Sequence, residues 1–250
     1  MEDITVFRAG TTQAIRYAAD ILAQSGIKTV CEPCEGVSCV LLDVPGIGAD
    51  GNLRGGGDLR ELMETIPGNA RIIGGGLEHP LLEGRKRYDI LKEEGYLKEN
   101  ARITAYCALH MIGQALPVTL EDCPVLVIGW GRIGKLLTSL LVRLGAHVTV
   151  ATRDIRSIAS LGKLGIGAIL TGNIDPAHYR AIINTAPAPV LSRDALRSCV
   201  DAVKLDLASS RGLEGDDVIW ARGLPGIHAP ESSGRLIARY VLSYLKEDTP

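Results

Sequence analysis

Val125-Leu126-Val127-Ile128-Gly129-Trp130-Gly131-Arg132-Ile133-Gly134-Lys135 is the stretch that decides how this chain reads. Four consecutive apolar residues, three of them β-branched, predict a strand buried on both faces, as in the centre of a parallel sheet. Three glycines at the spacing Gly-x-Gly-x-x-Gly then lead into a helix expected over 135–144. Gly129 would make the tight turn, Gly131 would let the backbone approach a pyrophosphate, and Gly134 would let the helix lie close to the strand, with phosphates at the helix N-terminus. A glycine-rich turn that binds nothing is the alternative. Against it stand the strand before, the helix after and a second strand at 147–151.

Working outward, the pattern continues as a helix over 155–164 and strands at 168–170, 181–185, 203–207 and 218–220. That completes a six-strand NAD(P)-binding Rossmann domain, a doubly wound parallel sheet, over 117–230. Upstream, a strand at 4–7 meets the turn Gly10-Thr11-Thr12 and a helix over 13–25. Strands at 28–31, 37–44 and 71–73 follow, with a helix over 59–66 capped by Asp58. A charged stretch over 83–98 leads to a helix at 100–115, closed by Pro117 and placed at the domain junction. The last segment carries Leu236, Ile237, Tyr240, Val241, Tyr244 and Leu245 on one helical face. The expected fold is therefore α/β in two domains. A smaller N-terminal α/β substrate domain, 1–98 completed by helix 233–248, would flank a cleft with the Rossmann domain.

Composition narrows the function classes. The chain has 250 residues, 46% hydrophobic and 22% charged, enough apolar material for a real core rather than a disordered chain. Lys+Arg (27) nearly equals Asp+Glu (29), so no basic surplus exists to neutralise nucleic acid. No uncharged apolar run reaches about 18 residues, and the start Met1-Glu2-Asp3 lacks the basic residues of a secretory signal. The protein is expected in the cytoplasm, without a membrane partner. Six scattered cysteines fit reduced thiols.

NAD-binding turns place an acid about 20 residues beyond the fingerprint to grip the ribose 2′-hydroxyl. Here Ala151-Thr152-Arg153 stands there, so no carboxylate repels a 2′-phosphate and a guanidinium is at hand to fork it. NADP is favoured, with NAD as the alternative if Arg153 projects into solvent and Asp154 reaches the ribose. Cys31-Glu32-Pro33-Cys34 has metal-ligand spacing but no second pair, so no metal is expected. The turn Asp50-Gly51-Asn52 and the run Gly55-Gly56-Gly57 read as a loop or a flexible rim.

Ligands in such folds lie at the carboxyl ends of the strands, where three further clusters stand. These are Ile183-Asn184-Thr185-Ala186-Pro187, Leu205-Asp206-Leu207-Ala208-Ser209, and Gly223-Leu224-Pro225-Gly226 followed by Ala229-Pro230. In this order they resemble the phrases INT-x-P, LDLAS and GLPG-x-x-AP of the dipicolinate synthase family, in its A component. The resemblance implies an NAD(P)-dependent oxidoreductase, serving sporulation, that forms dipicolinate from a hydro(xy)pyridine dicarboxylate. It also implies a second component resembling a flavoprotein, and a homo-oligomer is expected. Gly129, Gly131, Arg132, Ile133, Gly134, Thr152 and Arg153 would hold the cofactor, and Asn184, Thr185 and Pro187 would line its nicotinamide ribose. Asp206, Ser209, Arg211 and His228 would face the substrate, with Asp206, Arg211 and His228 as catalytic candidates. Arg211 is a carboxylate clamp or a solvated charge, and His228 a proton carrier or an ordinary loop residue. The first half departs from the family. Its Gly-Gly-Asp-x-Arg-Gln turn is here Arg8-Ala9-Gly10-Thr11-Thr12-Gln13, and its Pro-Thr-x-Glu-Gly phrase is Ile103-Thr104-Ala105-Tyr106-Cys107. A reductase or dehydrogenase of another small carboxylic acid, or a non-catalytic NADP-binding regulatory module, are the alternative functions.

Overall fold

The computed structural model describes residues 4–247 and divides the chain into two compact α/β units, each built on an all-parallel sheet. Position 248, at the end of the expected last helix, and residues 1–3 lie outside the described residues. In chain order the elements are β1 (Thr5–Arg8), α1 (Gln13–Gln24), β2 (Lys28–Val30), β3 (Cys39–Leu41), α2 (Leu59–Thr65), β4 (Arg71–Gly74), β5 (Arg87–Asp89) and α3 (Glu94–Ala115). They continue as β6 (Pro124–Ile128), α4 (Arg132–Arg143), β7 (His147–Thr152), α5 (Ile155–Lys163), β8 (Gly167–Leu170) and β9 (Ala181–Asn184). The chain ends with α6 (Arg193–Leu196), β10 (Val203–Asp206), β11 (Val218–Trp220), α7 (Leu224–His228) and α8 (Pro230–Glu247). One unit comprises residues 1–100 and 225–250, the other 101–224.

The first unit is a five-stranded sheet in the order β2-β1-β3-β4-β5. Phe7, Val40, Leu42 and Ile72 point to a core closed by Leu59, Leu62 and Ile66 of α2 and its C-cap. On α1, Ile15, Ala18 and Leu22 are buried, and on α8 Leu236, Ile237, Val241 and Leu245 are. Close approach of these two helices depends on Gly234, where a Cβ would lie 2.5 Å from Cβ of Tyr17 and 2.6 Å from the Ala14 carbonyl. Tyr88 stacks on Tyr244 with ring centroids 4.3 Å apart, and Tyr96 meets the Tyr240 ring edge-on at 5.6 Å. The expectation that the C-terminal helix buries an apolar face is met within this unit. Two differences stand out. Residues 83–98, expected only as a charged stretch, hold the edge strand β5, and α3 starts at Glu94, six residues before the expected 100.

The second unit has six strands in the order β11-β10-β9-β6-β7-β8. Counted along this unit alone, the order reverses about its first strand as in the doubly wound nucleotide-binding fold. Its central strands are buried on both faces: Val125, Leu126, Val127, Val150, Ile182 and Ile183 are fully shielded. Amphipathic α4 covers one face with Leu137 and Leu141, while Leu191, Leu196, Cys199 and Leu213 close the other. Every strand runs parallel, so all carboxyl ends share one edge, and strand order reverses between β6 and β9. A chain with this topology has its ligand crevice at that edge.

Candidate functional site

At the end of β6 the backbone turns sharply. Gly129 has φ +102°, a region that excludes most side chains, and its N–H donates to the Ala151 carbonyl at 2.8 Å. The hydroxyl of Thr185 lies across this turn, donating to the Ile128 carbonyl at 2.9 Å, and so ties the end of β9 to the glycine loop. The three glycines differ in what surrounds them. A Cβ on Gly129 would lie 2.5 Å from Oγ1 of Thr185, and one on Gly134 would lie 2.1 Å from the Gly129 carbonyl oxygen. One on Gly131 would meet nothing within 4 Å. Gly131 is the N-cap of α4, in extended conformation, and offers the helix no capping side chain. The first and third glycines therefore serve the fold. The second leaves open space in front of a helix N-terminus, where orphan N–H groups and the helix dipole favour an anion. Exposed Arg132 and half-buried Ile133 begin that helix.

At the end of β7, Thr152 is buried and its hydroxyl accepts from the Asp154 N–H at 3.2 Å. Asp154 caps α5, accepting from the Arg156 N–H at 3.1 Å and from Oγ of Ser157 at 3.0 Å. The Arg156 N–H above all holds its carboxyl below the usual range. Its oxygens are thus engaged by the helix it starts. Arg153 is exposed and, among the described residues, has neither a hydrogen-bond nor an ion-pair partner.

At β9 and β10 the structure corrects the sequence reading. Asp206 is fully buried and faces no solvent. One carboxylate oxygen accepts from Nδ2 of Asn184 (2.9 Å) and the Ala208 N–H (3.0 Å), the other from the N–H groups of Gly212 (2.7 Å) and Leu213 (2.9 Å). A buried carboxylate needs such donors, and with four it is a loop clamp rather than a substrate-facing acid. Asn184 is equally buried, its amide spent on Asp206 and on both backbone groups of Ala186. It shapes the β9 turn and offers no side-chain atom to a ribose. Thr185 is half-buried, and Pro187, Ser209 and Arg211 are exposed. Trp220 lies beside Arg211, its indole N–H donating to the Ala208 carbonyl at 3.1 Å. The guanidinium carbons of Arg211 and Arg222 each stand 5.1 Å from its ring centroid. Neither Trp220 nor Arg222 stood among the sequence candidates. The signal was an aromatic residue at a strand end with an arginine two positions on.

In the first unit, His228 is the exposed last residue of α7. The turn after β1 contains a carboxylate that the sequence pattern did not single out: Asp43, buried just past β3, accepts from the N–H groups of Thr11 and Thr12 at 3.1 Å each and from Oγ1 of Thr12 at 2.6 Å. A lone charge near the end of the apolar run 37–44 was its trace. The Gly55 carbonyl accepts from the Thr11 hydroxyl at 3.2 Å, and Asp50 accepts from the Asn52 N–H, so the glycine-rich loop is tied down. Cys31 and Cys34 are exposed, and Nη2 of Arg8 lies 3.3 Å from Sγ of Cys31. Among the described residues no group of three His, Cys, Asp or Glu could hold a metal ion, and no helix is long and apolar enough to cross a membrane.

Sheet order, glycine turn and open helix N-terminus define the second unit as a doubly wound domain of the dinucleotide-binding type. Similarity to known proteins narrows this. The chain is 27% identical over 194 residues to the A component of dipicolinate synthase of Bacillus subtilis (strain 168), a match covering 70% of this chain and 65% of that protein, just under two thirds of its length. The crystal structure of the same component from Bacillus halodurans superimposes with a TM-score of 0.83 at 20% identity, covering 99% of both chains. That of a transhydrogenase from Sinorhizobium meliloti gives 0.73 at 17%, covering 98% of this chain and 84% of the other. No family model matches the chain. The resemblance to dipicolinate synthase read from the strand-end phrases is therefore found in sequence and in fold alike.

Proposed function

We propose that this protein is an NAD(P)-dependent oxidoreductase that binds NADP in preference to NAD and oxidises a hydro(xy)pyridine dicarboxylate to dipicolinate. The observation that carries the reading is the contrast among the fingerprint glycines: two are closed by backbone and the hydroxyl of Thr185, while Gly131 alone opens onto the N-terminus of α4. A pyrophosphate fits that opening because the first-turn N–H groups supply donors and the dipole supplies sign. Arg153, exposed and unpartnered among the described residues, supports the 2′-phosphate, and Asp154 is engaged in capping α5. The bound nicotinamide would take up a hydride. Thr185 and Pro187 would border its ribose and Arg211 would hold a substrate carboxylate, the ring proton leaving to solvent. Similarity to one component of a synthase supports a second component as partner.

A reductase of another small carboxylic acid is the second reading. It is favoured by one feature, the β1–α1 turn, where Asp43 already occupies the donors of Thr11 and Thr12.

Calorimetric titration with NADP and NAD tests the proposal. We expect NADP to bind about ten- to a hundredfold more tightly, since a charge-assisted fork is worth about 1.5–3 kcal/mol. Arg153→Gln should erase most of the difference. Failure of either dinucleotide to bind would overturn the reading, and equal affinities would overturn the role of Arg153.

A further inference from the structure

We propose that Arg222, with Arg211, forms a two-cation seat for a ligand bearing two carboxylates, and that Trp220 is the positioning residue that sets both guanidiniums. The inference deepens the reading above and rests on it for the identity of the substrate. The geometry is confined to the second unit. β10 and β11 pair in parallel with Asp206 opposite Trp220, so the segments leaving both strands emerge side by side at the carboxyl edge that also carries Gly129 and Gly131.

Each cation is held. The loop carrying Arg211 is pinned on one side at Ala208, whose N–H is taken by Asp206 and whose carbonyl is taken by the Trp220 indole. On the other side Asp206 grips the N–H groups of Gly212 and Leu213. Arg222 follows Ala221, whose N–H donates to the Asp206 carbonyl at 2.8 Å. Both guanidinium carbons lie 5.1 Å from one indole, so they stand no farther apart than twice that distance. Cation–π contact orients a guanidinium plane and leaves its N–H edge free to fork a carboxylate.

The charges around the pair sharpen the case. Of the acids nearby in the chain, Asp216 pairs with Arg193 and Asp217 with buried Lys204, while exposed Glu214 pairs with neither Arg211 nor Arg222. Among the described residues no carboxylate pairs with Arg211 or Arg222. Two like charges against one ring, neither paired with a protein carboxylate, are complementary to an anion with two negative groups. A mono-acid would satisfy one and leave the other.

The test titrates the full-length protein, in the presence of NADP, with dipicolinate and with its one-carboxylate counterpart picolinate. We expect dipicolinate to bind at least about tenfold more tightly than picolinate. Arg222→Gln should reduce dipicolinate affinity by a similar factor and leave picolinate and NADP affinity unchanged. Arg222→Lys, which keeps the charge and loses the fork, should fall between. Trp220→Leu should weaken dipicolinate binding through both arginines, and adding Arg222→Gln to it should cost less than Arg222→Gln alone. Dipicolinate affinity unmoved in Arg222→Gln, or no dipicolinate binding by a wild type that binds NADP, would overturn the inference. Failure of NADP to bind while dipicolinate still binds through Arg222 would instead overturn the cofactor reading and leave the seat standing.

Discussion

Asp206→Asn separates a clamp from a catalytic acid. The substitution keeps size and shape but gives one of the two positions an N–H where the structure requires an acceptor. In one orientation the amide nitrogen faces the N–H groups of Gly212 and Leu213, which now reach the carboxylate at 2.7 and 2.9 Å. In the other it faces Nδ2 of Asn184 and the Ala208 N–H, at 2.9 and 3.0 Å. Either way two buried donors lose their partner. A hydrogen bond to a charged group contributes about 1.5–3 kcal/mol, so two would amount to about 3–6 kcal/mol. The exposed residues 209–211 let the loop relax, which puts the expected loss near the lower figure, about 3 kcal/mol. Urea unfolding followed by tryptophan fluorescence measures it, because both tryptophans, Trp130 and Trp220, lie in the second unit. With about 1–3 kcal/mol per molar urea, the midpoint should fall by about 1–3 M. A variant within about 0.5 kcal/mol of wild type would refute the clamp and return Asp206 to the list of reacting groups.

The glycine fingerprint predicts two opposite phenotypes. Gly131→Val, whose Cβ would meet nothing within 4 Å, should keep the thermal midpoint and lose dinucleotide binding, whereas Gly134→Ala, with its Cβ 2.1 Å from a backbone carbonyl, should lower the midpoint even without ligand. Circular dichroism melts beside calorimetry check both. In the first unit, Gly234→Val should push α8 off α1 at Tyr17 and Ala14 and cost about 1–3 kcal/mol of stability by overpacking, read as a denaturation shift. Tyr88 is pushed up to about 12, chiefly by burial, and burial alone raises Tyr96 as well. Their neutral phenols are thus favoured in the folded state; for Tyr88 this stability is present in full below about pH 10 and lost as pH rises through about 12, and for Tyr96 it is lost at higher pH still. Tyrosinate absorbance should show two tyrosines titrating late, and Tyr88→Phe should reduce the alkaline loss of stability.

Local pattern was enough for the second unit's framework. The unbroken apolar run 125–128 reads as a strand shielded on both faces, and glycines at 129, 131 and 134 between it and an amphipathic segment mark a strand-to-helix turn. The same logic placed α1 and α8 through their apolar faces. It missed β5, because Arg87-Tyr88-Asp89 is a short edge strand whose polar residues show no period, and its pairing with β4 is a long-range event. It also started α3 late, since Glu94–Asn100 is a polar turn recruited by the helix behind it and by Tyr96 packing on Tyr240. The site divided in the same way. Expectations for Gly131 and Arg153 could be drawn from the sequence because they rest on position along one βαβ unit. Asp206 and Asn184 were not, since a carboxylate at a strand end reads alike whether it faces ligand or four N–H groups. Only the register of β9, β10 and the returning loop decides that. Trp220, Arg211 and Arg222 likewise became one feature only when β10 and β11 paired: sequence sets which charges exist, and tertiary contact sets which of them remain unneutralised.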